Sequence, residues 1–289
     1  MKRHLFRNIA RLNQIGRVLI KYGFGGIVSE IKLLPVFSVI AKLPLFSRVG
    51  RKMTVPVRVR RILEELGPTF VKLGQAVSTR ADLFPAEWIE ELKKLQDSVP
   101  PVSFDKAKEA VEDSFGETIE AKFKSFEEVP IASASIAQVH FAELKDGTPV
   151  AVKVKRPNIE RIINSDISVM YTVARLLVRH IPAARRYKPV KVVDEFKRVI
   201  DNELDLTIEG ANAMRFLKMF ERDDKVLVPK VYWSYTNKDV LTLERVSGIP
   251  FDEIERIKAA GLDCEEIAVN GIKAFFRQVF EFGFYHADL

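Results

Sequence analysis

Residues 126–157 read FEEVPIASASIAQVHFAELKDGTPVAVKVKRP, and the fold turns on them. Two runs rich in Val, Ala and aromatic residues flank Lys145-Asp146-Gly147-Thr148, and Asp-Gly between such runs signals a tight hairpin. In the second run alternate side chains share a face, so Val150, Val152 and Val154 point one way and Ala151, Lys153 and Lys155 the other. A lysine is rarely tolerated inward without a counter-charge. Carboxylates are available in a later helical stretch, NELDLTIE at 202–209. There Asp205 and Glu209, four apart, share a helix face, and Glu203 lies roughly 120° round the axis from Glu209. Spacing alone leaves two readings open: Lys153 meets one of these carboxylates, or both lysine and acidic face are solvated.

Working outward, residues 57–125 carry helical patterning punctuated at Gly67-Pro68, Pro85 and Gly116. Downstream of the hairpin it resumes in ISVMYTVARLLVRHI and, as one long run, VVDEFKRVIDNELDLTIEGANAMRFLKMF. LVPKVYWSYTNKDVLTLERVSG then reads as a second strand pair turning at Thr-Asn-Lys-Asp. Helix, hairpin, helix, strand pair and helix in that order indicate an α+β lobe. Near residue 289, Ile267, Ile272, Phe275, Phe276, Val279 and Phe282 recur at helical intervals, an apolar stripe that needs a partner surface. Trp88, Trp233 and the Phe residues at 275–284 are expected in the core.

Of 289 residues, 47% are hydrophobic, enough for a sizeable core. The single cysteine, Cys264, excludes an internal disulfide, and His4, His140, His180 and His286 lack metal-ligand spacing. The net charge of +7 is divided unevenly: residues 1–61 hold fourteen Lys/Arg and one acidic residue, Glu30, leaving the body acidic. Apolar residues interleaved with these cations, without a stacked aromatic series, suit an anionic bilayer surface better than nucleic acid. The longest uncharged run of this arm, LLPVFSVIA, is too short to span a bilayer. A basic helix packed on its own domain is the other reading.

The segment PIASASIAQV lies where a Gly-rich phosphate loop would precede a V-A-x-K strand in a kinase, yet it has no Gly. Each Cβ there penalises positive φ and the closest backbone approach to phosphate. Together with this loop, four further segments resemble the UbiB-like atypical kinases, the protein-kinase-like family tied to ubiquinone biosynthesis. They are ELGPTFVKLGQAVSTRADLFP (the K-x-G-Q motif, Lys72, Gly74, Gln75), VAVK (Lys153), NELDLTIEGAN (the E-x-D motif, Glu203 and Asp205, then Glu209) and FYHADL. The resemblance covers residues 57–289, with the motifs in family order.

It implies a protein-kinase-like N-lobe with a helical K-x-G-Q extension and the start of a helical C-lobe. The segments would be a basic membrane-facing arm (1–56), the extension (57–125), the N-lobe (126–246) and the C-lobe start (247–289). It further implies ATP and Mg²⁺ as cofactors, Lys153 on the α/β-phosphates paired with Glu209, and Asp288 as the catalytic Asp. Pro130, Ile131, Ala132, Ser133, Ala134, Ser135, Ile136, Ala137 and Gln138 would cover the nucleotide. Lys72 and Gln75 would enter the cleft facing Glu203 and Asp205. His286 is expected to be structural. In the kinase arrangement the Mg²⁺ ligands follow the catalytic Asp, so no metal ligand is expected in this chain and it should turn over ATP poorly on its own. The implied function is an atypical kinase or ATPase supporting isoprenoid quinone assembly at the cytoplasmic face of the bacterial inner membrane. Quinone precursors, biosynthetic enzymes and anionic lipid would be its partners, and distal transmembrane helices would lie outside this sequence. A nucleotide-gated lipid-binding scaffold is the alternative.

Overall fold

The computed structural model describes residues 2–30, 53–79, 84–95 and 100–286. Helices α1 (Lys2–Lys21), α2 (Gly25–Glu30), α3 (Val55–Leu66), α4 (Pro68–Ser78), α5 (Ala86–Leu92), α6 (Phe104–Phe115) and α7 (Ile119–Lys122) lead into β1 (Ser125–Phe126), β2 (Ala132–Ser133), β3 (Ala137–Glu143) and β4 (Pro149–Lys155). There follow α8 (Ile159–His180), α9 (Pro189–Glu203), α10 (Leu206–Met219), β5 (Val240–Glu244), α11 (Ile254–Ala259) and α12 (Cys264–Phe276).

The antiparallel sheet runs β1-β3-β4-β5, with β2 also on β3. Gly147 takes φ +88°, which closes the β3–β4 turn. The register sets Gln138 opposite Val154, His140 opposite Val152 and Ala142 opposite Val150. That face carries the valines and is buried with Val111 of α6, Ile119 and Phe123. Lys153 stands on the other face between Val139 and Leu241. A second core joins α1, α3, α4, α8 and α9 around Leu12, Ile15, Ile62, Phe70, Ile163 and Ile200.

Three expectations are corrected here. The apolar face of α1 belongs to this second core, and Arg11 pairs with buried Asp166 at 2.6 Å while donating to the Leu66 carbonyl. Within residues 9–30 the arm is therefore packed on its own domain. The 227–246 region contributes one strand, β5; its other half makes a single bridge, Val231 to Leu243. A 3₁₀ turn at Trp233–Tyr235 interrupts the pairing, and Pro229 has no N–H to extend it. Phe275, Phe276 and Phe280 are exposed, whereas Phe284 packs on Phe216 of α10 and Phe282 meets Phe220, just after that helix, edge-on.

Burial on the valine face dictates a polar relay. Glu127's carbonyl lies 2.7 Å from His140 Nδ1, so that nitrogen carries the proton; Nε2 then accepts from the Gln138 amide at 2.8 Å. Gln138 Oε1 accepts the Val102 N–H at 2.9 Å, tying the start of α6 to β3. Burial lowers the pKa of His140 from its ordinary value. A proton added at Nε2 would face the Gln138 donor. Because the unfolded chain binds that proton more readily, stability is full above the ordinary histidine pKa of about 6.5 and falls below it. In unfolding free energies measured from pH 8 to 5.5, His140 should contribute a fall of no more than about 1.4 kcal/mol per pH unit, so the fall should be smaller in His140→Gln. An unchanged profile in that variant would contradict the assignment.

Candidate nucleotide site

The sheet face opposite the valines brings one strand cation against one helix anion. Lys153 Nζ donates to both carboxylate oxygens of Glu209, at 2.7 and 2.8 Å. Glu209 lies in the first turn of α10, next to Gly210, where an added Cβ would come within 3.1 Å of the Trp233 ring and 3.2 Å of Leu241. Gly210 thus allows α10 to lie close to β5, which lowers Glu209 onto the strand. The Lys153 and Glu209 side chains remain 27% and 45% exposed, so this pair can be reached by a ligand.

The acidic stretch is not one helix. It breaks at Leu204-Asp205, where Asp205 is extended and caps α10 by accepting the Thr207 N–H at 3.0 Å. Asp-x-Thr after an apolar residue is an N-cap signal the spacing argument passed over. The break sends the carboxylates to different partners. Glu203, ending α9, lies 3.4 Å from Lys72. Gln75 departs from the expected cleft position: its side chain donates to the Leu95 carbonyl at 3.2 Å and not to Glu203 or Asp205. Gly74, between Lys72 and Gln75, packs closely: an added Cβ would force the ends of the Leu63 and Leu95 side chains to shift.

The Ala/Ser loop is built without left-handed backbone. No residue from 130 to 138 takes positive φ, so Ala and Ser incur no strain where a kinase loop has Gly. Ala132 pairs with Val139, itself opposite Lys153, placing the loop strand roughly 10 Å from the lysine. Ala134 N–H closes a turn on the Ala137 carbonyl at 2.8 Å. Arg156 clamps this turn. Its N–H meets the Ile136 carbonyl at 2.9 Å, Nε the Ala134 carbonyl at 2.9 Å, and Nη2 the Ser133 hydroxyl at 2.8 Å and the Pro100 carbonyl at 3.0 Å. Burial lowers the guanidinium pKa from its ordinary value. Ala137 and Gln138, expected to cover the nucleotide, are buried in β3, and the Gln138 side chain is committed to Val102 and His140. Ser135 is fully buried, its hydroxyl without a partner among the described residues. Pro130 and Ile131 lie at the rim, Ile131 half exposed.

Sequence reasoning missed the roles of Arg156 and Lys155. Lys155 shares the face of Lys153 but is buried, held by Glu160 at 2.9 Å, Asp239 at 2.5 Å and the Leu204 carbonyl at 2.8 Å. The following Pro157 marks the strand end, a signal that the last strand lysine is covered by what comes next. Asp288 lies outside the described residues. His286 donates its backbone N–H to Gln278 and its ring lies 6.1 Å from that of Phe216.

A strand lysine on a helix carboxylate beside a clamped Ala/Ser turn is the arrangement expected of a kinase-like N-lobe, and comparison with known families agrees. The ABC1 atypical kinase-like domain matches residues 94–289. The chain belongs to the ABC1 atypical kinase-like family. It is 42% identical over 285 residues to the probable protein kinase UbiB of Pseudomonas aeruginosa strain LESB58, covering 97% of this chain and 54% of that protein. The namesake in Pseudomonas paraeruginosa PA7 is 42% identical over 283 residues, 96% of this chain and 53% of that one. The chain thus spans about half the length of these ABC1-family relatives. The solved complex of Rv3197 with erythromycin from Mycobacterium tuberculosis is 32% identical, covering 68% of this chain and 49% of that chain with a TM-score of 0.49.

Exposure separates the two lysines. Lys153→Met removes a half-solvated ion pair and should cost no more than about 1 kcal/mol, whereas Lys155→Met strips a buried cation from three acceptors and should cost about 2–3 kcal/mol. Chemical denaturation of both variants should show this order, and equal losses would contradict it.

Proposed function

We propose that this chain forms the triphosphate-gripping part of an ATP-dependent atypical kinase or ATPase that supports ubiquinone biosynthesis at the bacterial inner membrane. The observation that carries the reading is the bidentate Lys153–Glu209 contact, made on an open sheet face and still accessible to a ligand. Bound ATP would supply the transferable phosphoryl group. Lys153, held in place by Glu209, offers its remaining N–H to the α/β-phosphate oxygens. The Arg156-clamped turn at Ser133–Ile136 would border the phosphates on one side. Asp288 is assigned the catalytic carboxylate on its motif. Among the described residues no three His, Cys, Asp or Glu side chains converge, and Mg²⁺ is proposed to arrive with the triphosphate, which supplies most of its oxygen ligands.

Lys72 on Glu203 supports a small substrate over a protein one, because the helical extension occupies the acidic segment that a substrate polypeptide would approach. The proposed acceptor is a small apolar molecule of the isoprenoid quinone class. Titration of a fluorescent ATP analogue into the 289-residue chain should give an affinity that drops at least about tenfold in Lys153→Met, while thermal stability stays near wild type. Unchanged affinity in that variant would overturn the proposal.

A further inference from the structure

Between Asp166 and Asp194 the chain carries no acidic residue but six cations, Arg175, Arg179, Arg185, Arg186, Lys188 and Lys191. They occupy the end of α8, the 3₁₀ turn Pro182–Tyr187 and the start of α9. All six are exposed, and none forms an ion pair among the described residues. The nearest carboxylates on α9 are already engaged, Asp194 with the Tyr171 hydroxyl and Glu195 with Arg198. Lys188 is held at φ 48° immediately before Pro189, so the turn projects its charges from a constrained backbone.

The same turn borders a cavity of about 460 Å³ between α1, α3, α4, α8 and α9. Its walls include Leu19, Leu63, Phe70, Val173, Leu177 and Val192, and among the described residues the one hydroxyl-bearing side chain lining it is Tyr187 at the turn itself. Tyr187 is 63% exposed and Val192 50% exposed, so apolar surface continues outward beneath the cations. A single helical turn, about 10 Å across and 5.4 Å long, would take up roughly 420 Å³. The space therefore suits a flexible hydrocarbon chain better than a peptide helix, and cations over apolar surface complement a phosphate joined to such a chain.

We propose that the α8–α9 hairpin is a docking site for anionic phospholipid, with an acyl chain in the cavity and the headgroup phosphate on the Arg185–Lys188 turn. This site is separate from the nucleotide cleft and does not depend on it. The headgroup contacts fall on the α8–α9 turn, and α1 contributes Leu19 to the wall of the cavity beneath it.

The test is co-sedimentation of the full chain with vesicles of phosphatidylcholine containing about one third phosphatidylglycerol, against phosphatidylcholine alone. Neutralising Arg185, Arg186 and Lys188 together to Gln should lower the partition coefficient about a hundredfold, the product of three roughly fivefold effects. These exposed changes should leave the thermal midpoint in place. Tyr187→Trp should give a blue-shifted emission on the anionic vesicles, quenched by acyl chains brominated along their length, and excess inorganic phosphate should not displace the protein. Vesicle binding unchanged by the triple substitution would overturn the site. So would indole emission from the Tyr187→Trp variant that acyl bromines fail to quench, or binding displaced by phosphate.

Discussion

The buried ammonium of Lys155 is the constraint on which the rest of the structure depends. A cation out of water must be surrounded by acceptors or it destabilises the fold. Here the acceptors come from the first turn of α8, the residue before β5 and the last carbonyls of α9. One side chain therefore fixes where three segments meet the edge of β4. Glu160 is shared with Lys238, whose neighbour Asp239 also reaches Lys155, so the turn before β5 is bound twice. The Lys238 and Lys155 hydrogen bonds lower the Glu160 pKa from its ordinary value and favour its carboxylate form.

From this junction the site follows. Leu204 gives its carbonyl to Lys155, Asp205 caps the next helix, and Glu209 arrives one turn later above Lys153. Lys153, Lys155 and Arg156 are close in sequence and divide the work by exposure: the first is half open, the second closed, the third clamps the Ala/Ser turn. The loop is held by Arg156 through the Ala134 and Ile136 carbonyls and the Ser133 hydroxyl and takes no positive φ, so nothing in its backbone calls for glycine.

Much of this was legible in the residues. The period-2 alternation over PVAVKVK, with Asp-Gly before it, located the hairpin and sorted the valines from the lysines, because burial of one face is a strong constraint. Spacing left open whether Lys153 meets one of the carboxylates of 203–209 or stays solvated; the resemblance named Glu209, and the two side chains are in contact. What spacing could not supply was the break at Asp205, where capping chemistry overrides the helical period, or the fate of Gln138. Its neighbour His140 on the same face creates a need for a donor, and that need is visible only once Val102 and Glu127 are in place. The basic arm illustrates the opposite limit: charge and apolar content describe a surface-seeking helix equally well whether its partner is lipid or, as for α1, its own domain. The catalytic assignment of Asp288 lies outside the described residues and rests on its motif.

A Lys153 amine beside the phosphates of a bound nucleotide is open to direct chemical trapping. An acyl-phosphate derivative of ATP transfers its acyl group to a lysine positioned at the phosphate chain, and peptide mapping identifies which lysine has reacted. The account expects acylation concentrated at Lys153 and suppressed by free ATP, with Lys155 and Lys72 left unmodified. Labelling spread over surface lysines, or insensitive to ATP, would contradict it.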